Sequence, residues 1–329
     1  MKVFITGATG FIGSHLALKL ARRGYTVHAL CRSLEKAARL AHKNIVVFKG
    51  DILDSESLEK AIKSTQQGYH LAALARAWAK DPQEFFRVNV SGTVNVLDAA
   101  LKNGVKRVVL TSTAGVLGPS SSEPLDETSL NTRDFFNEYE RAKYLMEQRA
   151  REYLSRGLGV VVVSPPRVYG PGVLSQSNSV TRMVRAYLRG KWRIIPGSGR
   201  KLGNYAYVDD VVEGHLLAME KGRPGEKYNL GGVDVSYSEF FRTLARVSGK
   251  RQVMVKVPVF LMVWASWLME RWAELSGQLP LITPCWVKKY FLYDWQVSSK
   301  KAAQELGYTI TPLEVGLKKT IAWLRERER

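Results

Sequence analysis

Lys2-Val3-Phe4-Ile5-Thr6-Gly7-Ala8-Thr9-Gly10-Phe11-Ile12-Gly13 decides the fold of this chain. Residues 2–6 read as a strand and residues 12–23 as a helix. Three glycines fill the turn between them. The first permits a tight turn, the second lets the backbone approach a pyrophosphate, and the third lets helix and sheet pack closely. The first helical turn then presents free N–H groups and a partial positive charge to the phosphates. The expectation is a dinucleotide site held by Gly7, Gly10, Phe11, Ile12 and Gly13.

Outward from that turn, apolar runs alternate with helical patterns. Strands are predicted at 26–31, 45–48, a weak one ending near His70-Leu71-Ala72, 107–111 and 158–163. Helices are predicted at 33–42, 55–63 (opened by a Ser cap), 82–102 and 133–156. Strands separated by helices imply right-handed crossovers and a parallel sheet. Val108-Val109-Leu110 and the valine run 160–163 do not alternate with polar residues, which suits strands covered on both faces. The expected class is α/β: a Rossmann-type doubly wound parallel sheet with a smaller C-terminal substrate-binding lobe. Residues 1–167 would bind the dinucleotide. Residues 168–329, richer in Pro and Gly, would be mainly the lobe, with some segments returning to the first domain.

The next strand ends bear on the cofactor. An acidic residue after the second strand would bind the ribose 2′-hydroxyl. Here the strand runs into Cys31-Arg32-Ser33. Arg32 can fork onto a 2′-phosphate and Ser33 can add a hydroxyl, so NADP(H) is favoured over NAD(H). The alternative puts Arg32 over the adenine face or in solvent, with NAD as cofactor. Asp51-Ile52 follows the third strand, where Asp51 serves either the adenine amino group or an ordinary turn.

Tyr139 and Lys143 lie four residues apart and so share a helix face. A tyrosine of ordinary pKa, near 10, is a poor acid–base group at neutral pH, and a nearby ammonium is expected to lower that pKa. Thr111-Ser112-Thr113 sits at a strand's carboxyl end, where ligands bind in such sheets. Thr113 can hydrogen-bond the substrate oxygen beside Tyr139.

Composition narrows the classes. The chain has 329 residues, 45% of them apolar and 24% charged, which is ordinary globular composition. Forty-nine basic against 30 acidic residues leave a net charge of +19. Such a surface attracts anions, but the basic residues are scattered, so a membrane surface is a better partner than nucleic acid. Two distant cysteines, Cys31 and Cys285, fit a reducing, cytosolic compartment. No metal site is expected: the five histidines are scattered, and Asp209-Asp210 reads as a helix N-cap. The Trp-rich stretch 257–272 reads as helical, and it serves as a core helix, a hydrophobic lid or a helix at a membrane surface.

Several motifs taken together resemble a known family. They are Thr6 to Gly13, His70-Leu71-Ala72-Ala73, Asn89-Val90, Thr111-Ser112-Thr113, Tyr139 with Lys143, Val168-Tyr169-Gly170-Pro171-Gly172, Tyr207-Val208-Asp209-Asp210-Val211 and Tyr228-Asn229-Leu230-Gly231-Gly232. The chain resembles the extended short-chain dehydrogenase/reductases of the epimerase/dehydratase type over nearly its whole length. Phe135 to Arg141 and Val208 to His215 are most similar to the dihydroflavonol-reductase-like branch and to plant farnesol dehydrogenases.

The resemblance implies an NAD(P)-dependent oxidoreductase acting on an alcohol/carbonyl pair of a hydrophobic substrate of terpenoid, sterol or flavonoid type. It implies Tyr139 as proton donor or acceptor, Lys143 as its partner and ribose ligand, and Thr113 as the polarising hydroxyl. Pro165 and Pro166 would line the nicotinamide. Leu71, Ala72, Ala73, Asn89, Thr111 and Val168 would complete the cofactor site, and a homodimer would form through 82–102 and 133–156. The alternatives are a nucleotide-sugar epimerase/dehydratase with retained NAD and a non-catalytic NAD(P)-binding partner. Two departures stand out. The stretch 65–69 is more polar than the family's usual strand. Leu202-Gly203-Asn204-Tyr205 also lacks the arginine with which sugar-nucleotide members grip a diphosphate.

Overall fold

The computed structural model describes residues 1–328 apart from 77, 130 and 132. Along the first half, strands and helices alternate: β1 (Lys2–Thr6), α1 (Phe11–Arg22), β2 (Thr26–Cys31), α2 (Leu34–Ala37), β3 (Ile45–Lys49), α3 (Ser55–Ile62) and β4 (Gln67–His70). Next come α4 (Gln83–Phe86), α5 (Gly92–Lys102), β5 (Arg107–Thr111), α6 (Glu138–Ser155) and β6 (Gly159–Ser164). The second half holds β7 (Arg167–Tyr169), α7 (Ser179–Leu188), β8 (Ile194–Pro196), β9 (Leu202–Tyr207), α8 (Val208–Lys221), β10 (Lys227–Asn229) and β11 (Val233–Ser236). It ends with α9 (Tyr237–Ser248), β12 (Val255–Val257), α10 (Val259–Ser276), α11 (Pro284–Leu292) and α12 (Leu313–Glu326).

The central sheet has the order β3-β2-β1-β4-β5-β6-β10, and every pairing in it is parallel. This is the doubly wound order, with its switch point between β1 and β4. β1, β5 and β6 are buried nearly throughout, as unbroken β-branched runs require. β10 returns from the second half of the chain to extend the sheet beside β6. A three-stranded sheet, β11-β9-β7, and a parallel pair, β12-β8, lie beyond it.

The polar stretch before His70 does form a strand. Gly68 makes room for it: a Cβ there would lie 2.1 Å from the Phe4 ring of β1. Tyr69 and His70 are buried, so only the first half of β4 is polar.

Some predicted boundaries move. The helix expected over 33–42 is one α-turn followed by a 3-10 turn at Ala38–Leu40, because the chain must bend to feed β3. α3 is capped by Asp54, not by a serine; the Asp54 carboxylate accepts the Glu56 N–H at 3.1 Å. The stretch 82–102 is helical with a π-helical turn at Arg87–Ser91 between α4 and α5. α6 starts at Glu138 and not at 133, because Asn137 is extended and its side chain accepts the Glu140 N–H at 2.9 Å. Asp209 and Asp210 are not the N-cap of α8. They lie in its first turn, where Asp210 accepts from the Thr311 backbone N–H and hydroxyl at 2.7 and 2.6 Å and ties the chain before α12 to α8.

Two buried histidines tie the sheet to its helices. His70 lies 2.6 Å from the Thr6 hydroxyl and 2.9 Å from the Thr93 hydroxyl. His215 lies 2.9 Å from the Thr111 hydroxyl and 2.7 Å from the Val211 carbonyl. Burial lowers their pKa values to about 3 and about 4. Both are therefore neutral in the fold and must gain a proton on acid unfolding. The stability they contribute is complete above the ordinary histidine value of 6.5 and is lost as pH falls toward 3. We expect urea midpoints to drop between pH 7 and pH 5, with a limiting slope of about 1.4 kcal/mol per pH unit for each histidine. A flat profile over that interval would show that neither is buried neutral.

Candidate active site

One cleft of about 1000 Å³ runs along the carboxyl edge of the central sheet. Gly7, Gly10, Phe11, Ile12 and Gly13 line one end with Arg32, Ser33, Asp51 and Ile52. Leu71, Ala72, Ala73, Thr111, Thr113, Tyr139, Lys143, Pro165, Pro166 and Val168 line the middle. Leu279, Leu281, Ile282, Trp286 and Tyr290 line the far end, on α11 and the chain leading into it. These residues, scattered over the chain, converge on one trough: the carboxyl ends of the central strands supply most of the first two groups, and α6, β7 and the chain into α11 supply the rest. Asn89 does not join them. It is fully buried behind the wall, where its side-chain oxygen accepts the Leu74 N–H at 2.8 Å and holds the loop after β4.

The glycine turn fits a dinucleotide. Gly7 has φ +74°, and a Cβ on it would lie 2.6 Å from the Ala72 nitrogen. A Cβ on Gly13 would lie 2.2 Å from the Gly7 oxygen. α1 has no side-chain cap and no acid in its first turn, so its leading N–H groups face the cleft without a competing anion. At the adenosine end, the Arg32 side chain is 78% exposed and reaches to 3.9 Å from Asp51. Ser33 caps α2 by accepting the Lys36 N–H at 3.2 Å. Asp51 accepts the Leu53 N–H at 2.9 Å, as a turn aspartate does, while still facing the cleft. Lys36 and Arg39 also line this end, an addition that helix periodicity alone did not single out.

Thr113, Tyr139 and Lys143 meet in the middle. Thr113 lies just after β5 and caps the 3-10 turn Ala114–Leu117, its hydroxyl accepting the Gly115 N–H at 3.1 Å. Lys143 is almost wholly buried and donates to the Thr111 carbonyl at 2.8 Å. Burial lowers its pKa to about 8, while Glu147 pulls the other way. Tyr139 packs edge-on against Phe85, with ring centroids 6.5 Å apart. Its pKa is raised, not lowered. Burial is the main cause, Tyr290 and Glu140 add to it, and Thr113 opposes it. The expected depression by Lys143 is not among its causes: the ammonium is held on the Thr111 carbonyl, and desolvation of the phenol dominates.

The C-terminal lobe adds residues that sequence reasoning missed. Lys289 of α11 forms a buried ion pair with Glu140, the neighbour of Tyr139 on α6. Its ammonium also lies 4.5 Å from the centroid of Trp295. This contact joins residues 149 positions apart, and no local pattern announces it. Arg167 does carry a local signal, as the cation directly after Pro165-Pro166 at a strand end. Its guanidinium lies 4.4 Å from the Tyr290 centroid and donates to the Tyr205 hydroxyl at 3.0 Å. Its Nη2 is buried without a partner. Gly203 leaves space for it, since a Cβ there would lie 2.3 Å from Nη1. Among the described residues no cluster of His, Cys, Asp or Glu is placed to hold a metal ion.

Comparison with known proteins agrees with this geometry. The model of the NAD dependent epimerase/dehydratase family matches residues 3–231. A 4-hydroxy-2-methyl-3-oxo-4-farnesyl-3,4-dihydroquinoline-1-oxide ketoreductase of Stigmatella aurantiaca is 31% identical, covering 94% of this chain and 92% of its own. A UDP-N-acetyl-alpha-D-glucosaminuronate decarboxylase of Bacillus cytotoxicus is 30% identical, covering 99% and 98%. The crystal structure of a Thermotoga maritima UDP-glucose 4-epimerase with UDP-glucose superimposes with a TM-score of 0.82 at 28% identity, covering both chains completely. Dihydroflavonol 4-reductases are also among the relatives. With its glycine turn, its parallel sheet and this match over most of its length, the chain belongs to the NAD-dependent epimerase/dehydratase family of extended short-chain oxidoreductases.

Proposed function

We propose that this oxidoreductase interconverts an alcohol and a carbonyl on a hydrophobic substrate, with NADP(H) preferred over NAD(H). The observation that carries the proposal is one trough with Thr113, Tyr139 and Lys143 at its centre and a wall of Leu279, Leu281, Ile282 and Trp286 at its far end. The nicotinamide, when bound, supplies or accepts the hydride. Tyr139 handles the proton on the substrate oxygen. Burial keeps its hydroxyl protonated at neutral pH, which suits donation to a carbonyl, the reductive direction. Lys143 sets a buried positive charge one helical turn along, where it favours the phenolate left behind. Thr113 offers a hydroxyl to the same oxygen.

Support for NADP(H) is the cationic adenosine end, with Arg32, Lys36 and Arg39 lining it. Arg32→Asp is expected to weaken NADP(H) binding by about 10- to 100-fold, the worth of a charge-assisted hydrogen bond, and to leave NAD(H) nearly unchanged. Calorimetric titration of both cofactors checks this. Equal losses for the two would remove Arg32 from 2′-phosphate recognition.

A second reading is favoured by Arg167. A buried guanidinium with a free Nη2 in the substrate half of the cleft would suit the diphosphate of a nucleotide sugar. One panel separates the two. Thermal shifts with NAD and NADP come first, followed by NADPH turnover with lipophilic ketones and stabilisation by UDP-glucose. Turnover of the ketones supports the first reading. Stabilisation by UDP-glucose without ketone turnover supports the second.

A further inference from the structure

Among the described residues, α10 is a long helix whose apolar side faces outward. Of its 18 residues only Ser266 and Ala273 are buried, two small residues on one side. Phe260, Trp264, Trp267 and Leu268 recur at spacings of three and four from Phe260 and Trp264 and form the opposite stripe, with the exposed Arg271–Glu274 ion pair on the same face beyond it. Phe260 is 70% exposed, Trp264 63% and, at the stripe's edge, Trp272 66%. A stable water-facing helix reverses this pattern, and exposed apolar patches of this kind mark an interaction surface.

The charge around the stripe says what covers it. Pro258 joins α10 directly to β12, which pairs with β8. The stretches 189–200 and 250–269, which carry these two strands and the first half of α10, contain no aspartate or glutamate. They contain Lys191, Arg193, Arg251 and Lys256, all exposed and none ion-paired among the described residues. Tryptophans beside uncompensated cations match a bilayer interface, where indole rings sit at headgroup depth and the cations meet anionic lipids. A second copy docking by a two-fold axis would bring the same cations together, which is repulsive. No helix among the described residues is long and apolar enough to cross a membrane, so contact is with one surface.

We infer that α10 and the β8/β12 edge seat this protein on the surface of an anionic bilayer. The segment between α10 and α11 links that seat to the active site. Leu281 is 83% exposed, yet it lines the same cleft as Tyr139. The cleft therefore has apolar residues at its mouth beside the lipid-facing helix. A lipophilic substrate can pass from bilayer to Tyr139 without crossing water, a route that rests on the hydrophobic-substrate proposal.

Co-sedimentation with vesicles tests the seat without cofactor or turnover. The full chain should partition onto vesicles of phosphatidylcholine mixed with phosphatidylglycerol at least about tenfold more strongly than onto phosphatidylcholine alone. High salt should erase most of that difference. The double variant Trp264→Glu, Trp272→Glu should lose binding to both vesicles while keeping the parent melting temperature, because both rings face outward. A Lys191→Glu, Arg193→Glu variant should lose only the preference for the anionic vesicles. Equal partition of the parent onto both vesicles would overturn the inference. So would absence of binding to the anionic vesicles, whether or not the tryptophan variant dissociates a dimer. Vesicle binding with no turnover of lipophilic carbonyls would leave the seat standing and remove the substrate proposal instead.

Discussion

Tyr139→Phe is expected to lower kcat by about 10³-fold, within the range that a positioned acid–base group contributes. The substitution removes one oxygen and leaves the ring packed against Phe85, so the fold should be unaffected. Cofactor affinity should be kept as well, because the glycine turn and the adenosine end are untouched. Thr113 and Lys143 would remain in place, but neither replaces the lost proton donor. Lys143 is held on the Thr111 carbonyl at 2.8 Å, and Thr113 is a far weaker acid than a phenol. The measurement is steady-state reduction of a lipophilic ketone with NADPH, with cofactor dissociation constants determined in parallel. A variant that keeps kcat would take Tyr139 out of the proton path. A variant that loses kcat and cofactor binding together would point to a positional role.

Gly13→Ala should abolish useful cofactor binding, weakening it by about 100-fold or more, or about 3 kcal/mol. The new Cβ would meet the Gly7 carbonyl oxygen at 2.2 Å and its carbon at 2.8 Å. Those are backbone atoms and cannot rotate away. Gly7 cannot retreat either, because its own Cβ position lies 2.6 Å from the backbone of Leu71 and Ala72. The turn must therefore open, which pulls the first N–H groups of α1 out of line with the phosphates. Overpacking should also cost about 1–3 kcal/mol of stability. Gly24→Ala is the matched control. Unlike Gly13, which is helical, Gly24 has a positive φ, +86°, and nothing lies within 4 Å of its Cβ position. It should lose stability through backbone strain and still bind NADP(H) normally. Titration calorimetry and thermal melts of both variants make the comparison. If both bind the cofactor alike, crowding against Gly7 is not what the third glycine prevents.

These expectations differ in how far the chain announced them. The glycine turn and the Tyr139/Lys143 spacing are local features. Their geometry follows from the turn and from one helix, so residue order alone reveals them. The alternation of valine-rich runs with helical patterns similarly predicts the parallel sheet, because strands buried on both faces have few other residue types available. The polar start of β4 pointed only to a weak strand, and the close approach of Phe4 to Gly68 packs it firmly into the sheet.

Elsewhere local pattern was a poor guide. Asn89 carried a family motif yet sits behind the cleft wall, bound to Leu74. The direction of the Tyr139 shift could not be read from spacing either. A nearby ammonium lowers a phenol's pKa and burial raises it, and here burial is the dominant cause.

By itself, the residue order determined the glycine turn, the parallel sheet and the placing of Tyr139 and Lys143 on one helix face, since each depends on neighbours within one turn or on the pattern of the strands. Only the tertiary structure decided what surrounds that pair. Lys289 meets Glu140 across 149 residues, and Arg167 lies among tyrosines from three further elements. The tryptophans of α10 face outward only because Ser266 and Ala273 are the residues turned to the body. Such contacts depend on how separate elements pack, and burial then sets the charge and exposure of each side chain.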